Sequence, residues 1–461
     1  MTLAVFQAFD RALISEIETD SEQALEDKLE RASRAFRDRD AWLKPHARIA
    51  ILQRLASLVE AQHDYFTQLI AREGGKPLTD ASVEATRAVD GIRNAAEELR
   101  HFGGQQIPMG LTPASDGRWA FTIREPIGVV AAISAFNHPL NLIVHQVAPA
   151  IATGCPVIIK PAGTTPLCCL ALLRLVREAG LPSEWCDSFV PVDNSGAEKL
   201  ATDPRVALLS FIGSARVGWY LRSRLPAGTR CALEHGGAAP TIVDRDVELD
   251  ALIEPIVKGG YYHAGQVCVS TQRIFVHADI CDAFVERFAK RVGALRVGDP
   301  LRPETEVGPL ILPREVERVA SWVDDAVQTG ARVATGGKRL SETTYQPTVL
   351  VEPAPTAKVS REEVFGPVTC VYRYSDLADA IERANSLPLA FQASVFTRNL
   401  ELAMRVAERI DASSVMINDH TAFRVDWMPF AGRKHSGYGV GGIGWTMHEI
   451  TQQKMLVFRR G

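Results

Sequence analysis

The chain of 461 residues is long enough for two or three domains with separate cores, and its 46% hydrophobic and 23% charged content is that of an ordinary soluble globular protein. With 51 basic residues against 55 acidic ones its formal net charge is −4, which excludes the bulk positive field expected of a nucleic-acid-binding protein. No uncharged apolar run reaches the roughly 18 residues of a membrane span, no signal peptide is visible, and eight cysteines without paired metal-ligand spacing fit a reducing cytoplasm better than a disulfide scaffold or a metal site.

From residue 21 to about 72, apolar positions recur at helical spacing, among them Ile51, Leu52, Leu55, Leu58 and Val59, until Gly74-Gly-Lys-Pro77 stops the helix. A further helical pattern runs from about 82 to 101 and carries Arg93, either a solvated surface cation or a pocket residue. Between 107 and 125 the pattern shortens to strand-like pieces around Asp116-Gly117, a hairpin signal, with 119–124 alternating apolar and polar. Such a ribbon has edges that want a partner.

From 128 to 237 strands and helices alternate: 129–136, 156–160, a helix over 167–178, then 188–192, 206–211 and 230–233. Uninterrupted apolar strands separated by helices indicate a parallel sheet covered on both faces. The second half repeats the alternation at 272–277, 393–397 and 414–418, with helices near 280–295 and 400–410. The fold class is therefore α/β with two α/β domains, and an active site is expected in the cleft between them.

Within Gly259-Gly-Tyr-Tyr-His-Ala-Gly-Gln-Val-Cys-Val-Ser-Thr-Gln-Arg273, a single cysteine, Cys268, stands just before a strand-like run. A lone Cys among small residues is ordinarily core. Here Leu233-Glu-His-Gly-Gly237 adds a carboxylate, Glu234, before two glycines that admit close backbone approach, so a nucleophile and a base come into view. Phe211-Ile-Gly-Ser214 follows an apolar strand and opens a helix; Gly213 lets backbone come near while Ser214 and the helix N-terminus can hold a pyrophosphate. Gly439-Val-Gly-Gly-Ile-Gly444 spells the dinucleotide fingerprint without its strand–turn–helix context and is expected to be a loop before a short helix. His263, near Cys268, leaves open a thiol hydrolase built on a Cys–His dyad without any nucleotide.

Taken in order, Phe136-Asn-His-Pro-Leu140, Ile159-Lys-Pro161, Phe211-Ile-Gly-Ser214, Leu233-Glu-His-Gly-Gly237, Gly265-Gln-Val-Cys268, Glu363-Val-Phe-Gly-Pro367 and Pro429-Phe-Ala-Gly432 resemble the motif set of the NAD(P)-dependent aldehyde dehydrogenases over nearly the whole chain. The resemblance implies oxidation of an aldehyde to a carboxylic acid through a cysteine thiohemiacetal and thioester. It implies a Rossmann-like cofactor domain (1–106 and 126–236), a catalytic domain (237–447) and a β-arm (107–125 and 448–461) that builds a homodimer or homotetramer, with Met455-Leu-Val-Phe458 in the arm's last strand. Cys268 becomes the nucleophile, its pKa lowered by local electrostatics. Glu234 becomes the general base, and Asn137 with the Cys268 N–H holds the oxyanion. Lys160 meets the adenosine ribose, Gly213 and Ser214 the pyrophosphate, Glu363 the nicotinamide ribose and Phe365 the nicotinamide end.

Gly163 stands where many NAD-preferring relatives carry a Glu, and without that carboxylate NADP is admissible beside NAD. His235 and His138 are expected to pack or support rather than to react directly. The segments 418–430 and 430–438 look like the phosphonoacetaldehyde dehydrogenase branch, which implies a small anionic aldehyde with Arg93, His138 and Arg424 as candidate donors. Two features count against a phosphonate: Val267 stands where some phosphonate-oxidising relatives place Arg, and Asp426 competes for Arg424. Lactaldehyde-like, sulfonated and semialdehyde substrates are the alternatives.

Overall fold

The computed structural model describes residues 1–460. Five strands, Arg230–Glu234, Val206–Ile212, Val129–Ile133, Val157–Lys160 and Cys186–Ser188, run parallel in that spatial order, and Gly437–Tyr438 joins the first of them antiparallel. Val129–Ile133 is buried along its whole length, as a strand covered on both faces must be. The helix Asn141–Thr153 is likewise buried throughout, packed beneath Pro45–Ala61 and Leu78–His101. Leu167–Glu178 has the bounds that its apolar spacing predicts. The strand expected at 188–192 instead ends at Ser188, and beyond it Val190 N–H donates to Asp20 Oδ2 at 2.8 Å and not to a neighbouring strand.

The helical pattern of 21–72 divides into Glu22–Arg37, Pro45–Ala61 and His63–Gly74. Pro45 begins the second helix, where its missing N–H costs nothing, and Gly75 closes the third at φ 75°. An N-terminal hairpin pairs Thr2–Phe6 with Leu13–Glu18, an element with no counterpart in the sequence reading.

The second sheet has seven strands in the order Arg332–Thr335, Thr348–Val351, Val368–Tyr374, Thr271–His277, Ala239–Val243, Gln392–Phe396, Ser414–Ile417, all parallel except the first. Leu249–Tyr261, Cys281–Gly293 and Pro313–Gln328 seal it with Ile256, Phe284, Phe288 and Val319, each worth about 1.5–3 kcal/mol of burial.

A third sheet orders Thr451–Arg459, Arg118–Pro126 and Gln106–Ile107, all antiparallel. This corrects the picture of a ribbon and a terminal strand each short of local partners: they satisfy one another from Thr451↔Pro126 to Arg459↔Arg118. Asp116-Gly117 turns the chain, but the hairpin before it is only Gln106–Ile107, because Pro108 and Pro113 interrupt the approach. Trp119, Met455, Val457 and Phe458 stay exposed on this sheet.

The two large sheets meet across a cleft. Lys160, Gly213 and Glu234 lie at the C-terminal ends of first-sheet strands, and Cys268 lies just before Thr271–His277 of the second. Strand C-termini are where open α/β sheets bind ligands.

Candidate active site

A cavity of about 1000 Å³ fills that cleft and is lined by Asn137, His138, Lys160, Gly163, Gly213, Ser214, Glu234, Cys268, Glu363, Phe365 and Arg424. Of the site residues expected from sequence, only Arg93 is absent from its wall.

At one end the cavity is built for a dinucleotide. The helix Ala215–Ser223 opens onto it with Ser214 at the N-cap, and the Ser214 side chain makes no capping bond, so first-turn N–H groups remain for an anionic ligand. A Cβ at Gly213 would press on the Phe211 ring. Lys160 has no carboxylate against it, and burial alone pushes its ammonium pKa down, the state of a cation awaiting a polar ligand. A Cβ at Gly163 would meet nothing within 4 Å, so the missing side chain leaves open space where a ribose phosphate can be admitted. Phe365 holds φ 45°, a left-handed backbone rare for an aromatic residue, and its ring meets Phe136 edge-on at 5.8 Å. These features fit NAD(P).

In the middle lie the groups expected from sequence to react. Asn137 is buried, and its Nδ2 donates to the Gln266 carbonyl at 2.9 Å, which aims the amide and leaves its second N–H uncommitted. Gln266 is itself fixed: Nε2 donates to Pro309 O at 3.1 Å and Oε1 accepts from Ile311 N at 2.9 Å. Burial raises the Glu234 pKa, opposed by Arg424. Glu363 accepts from Gly237 N at 3.2 Å, and burial pushes it up to about 8.

Two glycines make room for these carboxylates, since a Cβ at Gly236 would overlap Glu363 and one at Gly441 would overlap Glu234 Oε1. In the 439–444 stretch it is Gly441 that makes room for the carboxylate, and the loop leads into the short helix Ile443–Glu449, as expected. His235 packs against Phe211 and Trp219, with Nδ1 2.9 Å from His435 O.

Two expectations change here. The Cys268 pKa is raised, not lowered: burial, then Glu363 and Glu234, penalise the thiolate, and Arg424 only partly opposes them. A thiolate at this place therefore needs a proton acceptor at hand. The Cys–His dyad is not formed either, because both ring nitrogens of buried His263 lack a hydrogen-bond partner.

The far end is polar and basic. Arg424 stacks over the Phe430 ring, 3.5 Å from its centroid, and enters no ion pair among the described residues; its charge acts on both Glu234 and Cys268. Asp426 does not take it, being engaged by Arg87, His145 and Asn141. His138 faces the cavity with Nε2 3.3 Å from the Tyr262 hydroxyl, and burial and then Lys76 hold it neutral.

Arg93 points away to Glu60 at 2.6 Å on the exposed face of Leu78–His101, which corrects its assignment to the pocket. Arg87, six positions earlier and roughly 240° around the helix, is the arginine that faces the cavity. The signal for it was the stripe Asp80, Val83 and Arg87, spaced to share one helix face.

Comparisons with known proteins agree with this architecture. The family model described as "Aldehyde dehydrogenase family" matches residues 1–456. The chain is 38% identical over 414 residues to the 3-sulfolactaldehyde dehydrogenase of Priestia aryabhattai, covering 90% of this chain and 86% of that one. It is 37% identical over 419 residues to Aspartate-semialdehyde dehydrogenase 1 of Pseudomonas canavaninivorans, covering 90% and 88%. Among solved structures, aldehyde dehydrogenase 21 from Physcomitrella patens in complex with the reaction product succinate superposes with a TM-score of 0.96 at 33% identity, over 100% of this chain and 95% of that one. Glyceraldehyde-3-phosphate dehydrogenase GapN from Methanocaldococcus jannaschii, complexed with NADP, gives 0.94 at 31%, over 99% of both.

Proposed function

Since the chain belongs to the aldehyde dehydrogenase family and oxidises aldehydes with NAD or NADP, we propose that its substrate is a short aldehyde whose head group carries one negative charge. The observation that supports this is Arg424. It is a cleft cation without an ion-pair partner, and it lies close enough to Cys268 and Glu234 for its charge to act on both. An anion held there is separated from the reacting carbonyl by only a few bonds.

Charge balance selects a monoanion. Arg87 is neutralised by Asp426, Lys258 by Asp80 and Lys76 by Glu84, which leaves Arg424 as the excess charge of the substrate end. A sulfonate or a carboxylate matches it. The relative named for 3-sulfolactaldehyde acts on such a monoanion, and the one named for aspartate semialdehyde on an aldehyde whose carboxylate stands beside an ammonium. Phosphonoacetaldehyde is the second reading: Arg87 lines the cavity beside Arg424 and its Nη1 has no acceptor, but a phosphonate, like a phosphate monoester, carries close to two charges at neutral pH.

In the proposed mechanism Cys268 Sγ adds to the aldehyde carbon as its proton passes to Glu234, a carboxylate that burial makes a stronger base than an exposed one. The oxyanion is held by the free N–H of Asn137 and the backbone N–H of Cys268. NAD(P)⁺, when bound, supplies the hydride acceptor. Glu234, once it has released that proton to solvent, takes a proton from the water that attacks the thioester and passes it to the departing Cys268 thiolate, releasing the acid and the free thiol.

Initial rates over 3-sulfolactaldehyde, succinic semialdehyde, phosphonoacetaldehyde, lactaldehyde and benzaldehyde, with NAD and NADP in parallel, test the reading. The monoanionic aldehydes should lead the neutral ones by about tenfold or more in kcat/KM, the worth of a charge-assisted contact. A lead for lactaldehyde or benzaldehyde would overturn it. The three-stranded arm is proposed as a contact between copies of the chain, and removal of 451–461, which strips the inner strand Arg118–Pro126, should yield monomer or insoluble protein on sedimentation.

A further inference from the structure

Arg424 is aimed by very little. Apart from the Phe430 ring beneath it, its one directional contact among the described residues is Nη2 donating to His145 Nδ1 at 3.2 Å. The opposite ring nitrogen, His145 Nε2, lies 2.7 Å from Asp426 Oδ1. Because a guanidinium can only donate, Nδ1 must be bare, so the proton sits on Nε2 and is donated to the carboxylate. The imidazole is therefore neutral. Burial and Arg424 agree with that, pushing its pKa down to about 4 against the opposing pull of Asp426.

The same carboxylate fixes the second arginine directly. Asp426 Oδ1 accepts from Arg87 Nη2 at 2.7 Å and from Asn141 Nδ2 at 3.1 Å, and Oδ2 accepts from Arg87 Nε at 3.1 Å. One buried anion thus holds both guanidinium groups by different chemistry. Contact with Asp426 cancels the charge of Arg87, whereas an uncharged imidazole between Asp426 and Arg424 transmits orientation and leaves that charge intact. A carboxylate at position 145 would orient Arg424 equally well and neutralise it.

We propose that His145 and Asp426 are positioning residues for the anion subsite, in which the neutral imidazole relays the Asp426 anchor to Arg424 so that this guanidinium faces the cleft with its full charge. The inference rests on the reading of Arg424 as the anion-binding group. It assigns specificity to two side chains that line no part of the cavity.

The test compares KM and kcat for succinic semialdehyde and for uncharged propionaldehyde in the full-length enzyme with saturating cofactor. His145→Phe keeps an aromatic ring and removes the acceptor; it should raise KM for the anionic aldehyde by about tenfold, with kcat for both aldehydes and KM for propionaldehyde within about twofold. His145→Gln, which offers a neutral carbonyl acceptor, should recover most of the loss and also serves if the Phe variant does not fold. The relay is wrong if His145→Phe leaves the anionic KM unchanged, if it raises both KM values alike, or if His145→Gln is as impaired as His145→Phe. Arg424→Gln separates the two readings. If it fails to discriminate anionic from neutral aldehyde, the anion-site reading itself falls; if it discriminates while His145→Phe does not, only the relay falls.

Discussion

Asp426 and Glu363 are buried carboxylates, one behind the basic far end of the cleft and the other in its middle, and their protons are driven in opposite directions. Burial works against ionisation of both. At Asp426 it is overcome by hydrogen bonds and charge from His145 and Arg87, with Asn141 donating as well, and the group is held far below the usual carboxylate range. At Glu363 a single backbone N–H opposes burial, and the pKa rises to about 8. Burial raises Glu234 in the same direction, opposed by Arg424. The number of donors, and not burial, separates a carboxylate that stays charged in the folded chain from one that holds its proton more tightly there.

The reactive side is broken most completely at the thiol. Cys268→Ser should lower aldehyde oxidation by about 10³-fold or more while NADP still binds, because the hydroxyl is the poorer nucleophile and the cofactor end is untouched. Turnover of the serine variant near the wild-type rate would remove Cys268 from the mechanism. Glu234→Gln should cost about 10²–10³-fold in steady-state turnover, the range of a lost general base, and should slow the stopped-flow burst of reduced cofactor as well, because Glu234 also takes the Cys268 proton. Unchanged deacylation would assign the base elsewhere.

On the recognition side, Asp426→Asn removes the anion beneath Arg87 and should lower unfolding stability by about 3 kcal/mol in denaturant titrations, since it leaves a poorly compensated cation. The pH signs separate the two regions further. The folded-state pKa of Asp426 is depressed, so its contribution is present above the unfolded value of about 4 and is lost as pH falls below it. The folded-state pKa of Glu363 is raised to about 8, so the folded chain holds a proton that the unfolded chain releases, and stability falls as pH rises from about 4.5 to 8. Glu363→Gln should flatten that decline, by a few kcal/mol at most. Thermal unfolding between pH 5 and 9 measures it, and parallel wild-type and variant curves would show that Glu363 ionises normally.

What the sequence revealed follows the same division. Cys268, Glu234, Asn137, Gly213 and Lys160 sit in short local motifs at strand ends, where a few neighbouring residues dictate the backbone, and the structure brings all five to one cavity. The recognition side has no local signature, because Arg87 and Asp426 are 339 positions apart and meet only in the fold. The raised Cys268 pKa was hidden for the same reason, since its causes include carboxylates at 234 and 363. The N-terminal hairpin escaped because its loop contains no glycine or asparagine; Arg11 takes the left-handed φ of 59° that those residues normally mark.

The smallest effect tests the correction on the helix Leu78–His101. Arg93 and Glu60 form a pair 2.6 Å apart, with side chains 44% and 56% exposed, and such a pair gains little over solvated charges. Arg93→Ala should therefore change stability by no more than about 0.5 kcal/mol and leave KM for an anionic aldehyde unaltered. Arg87→Ala at the same helix should raise that KM, because it removes the guanidinium that faces the cleft and frees Asp426 to repel the substrate head group. Measuring both variants with succinic semialdehyde and with propionaldehyde distinguishes a surface cation from a recognition cation. A larger KM effect at Arg93 than at Arg87 would reverse the assignment of the helix faces.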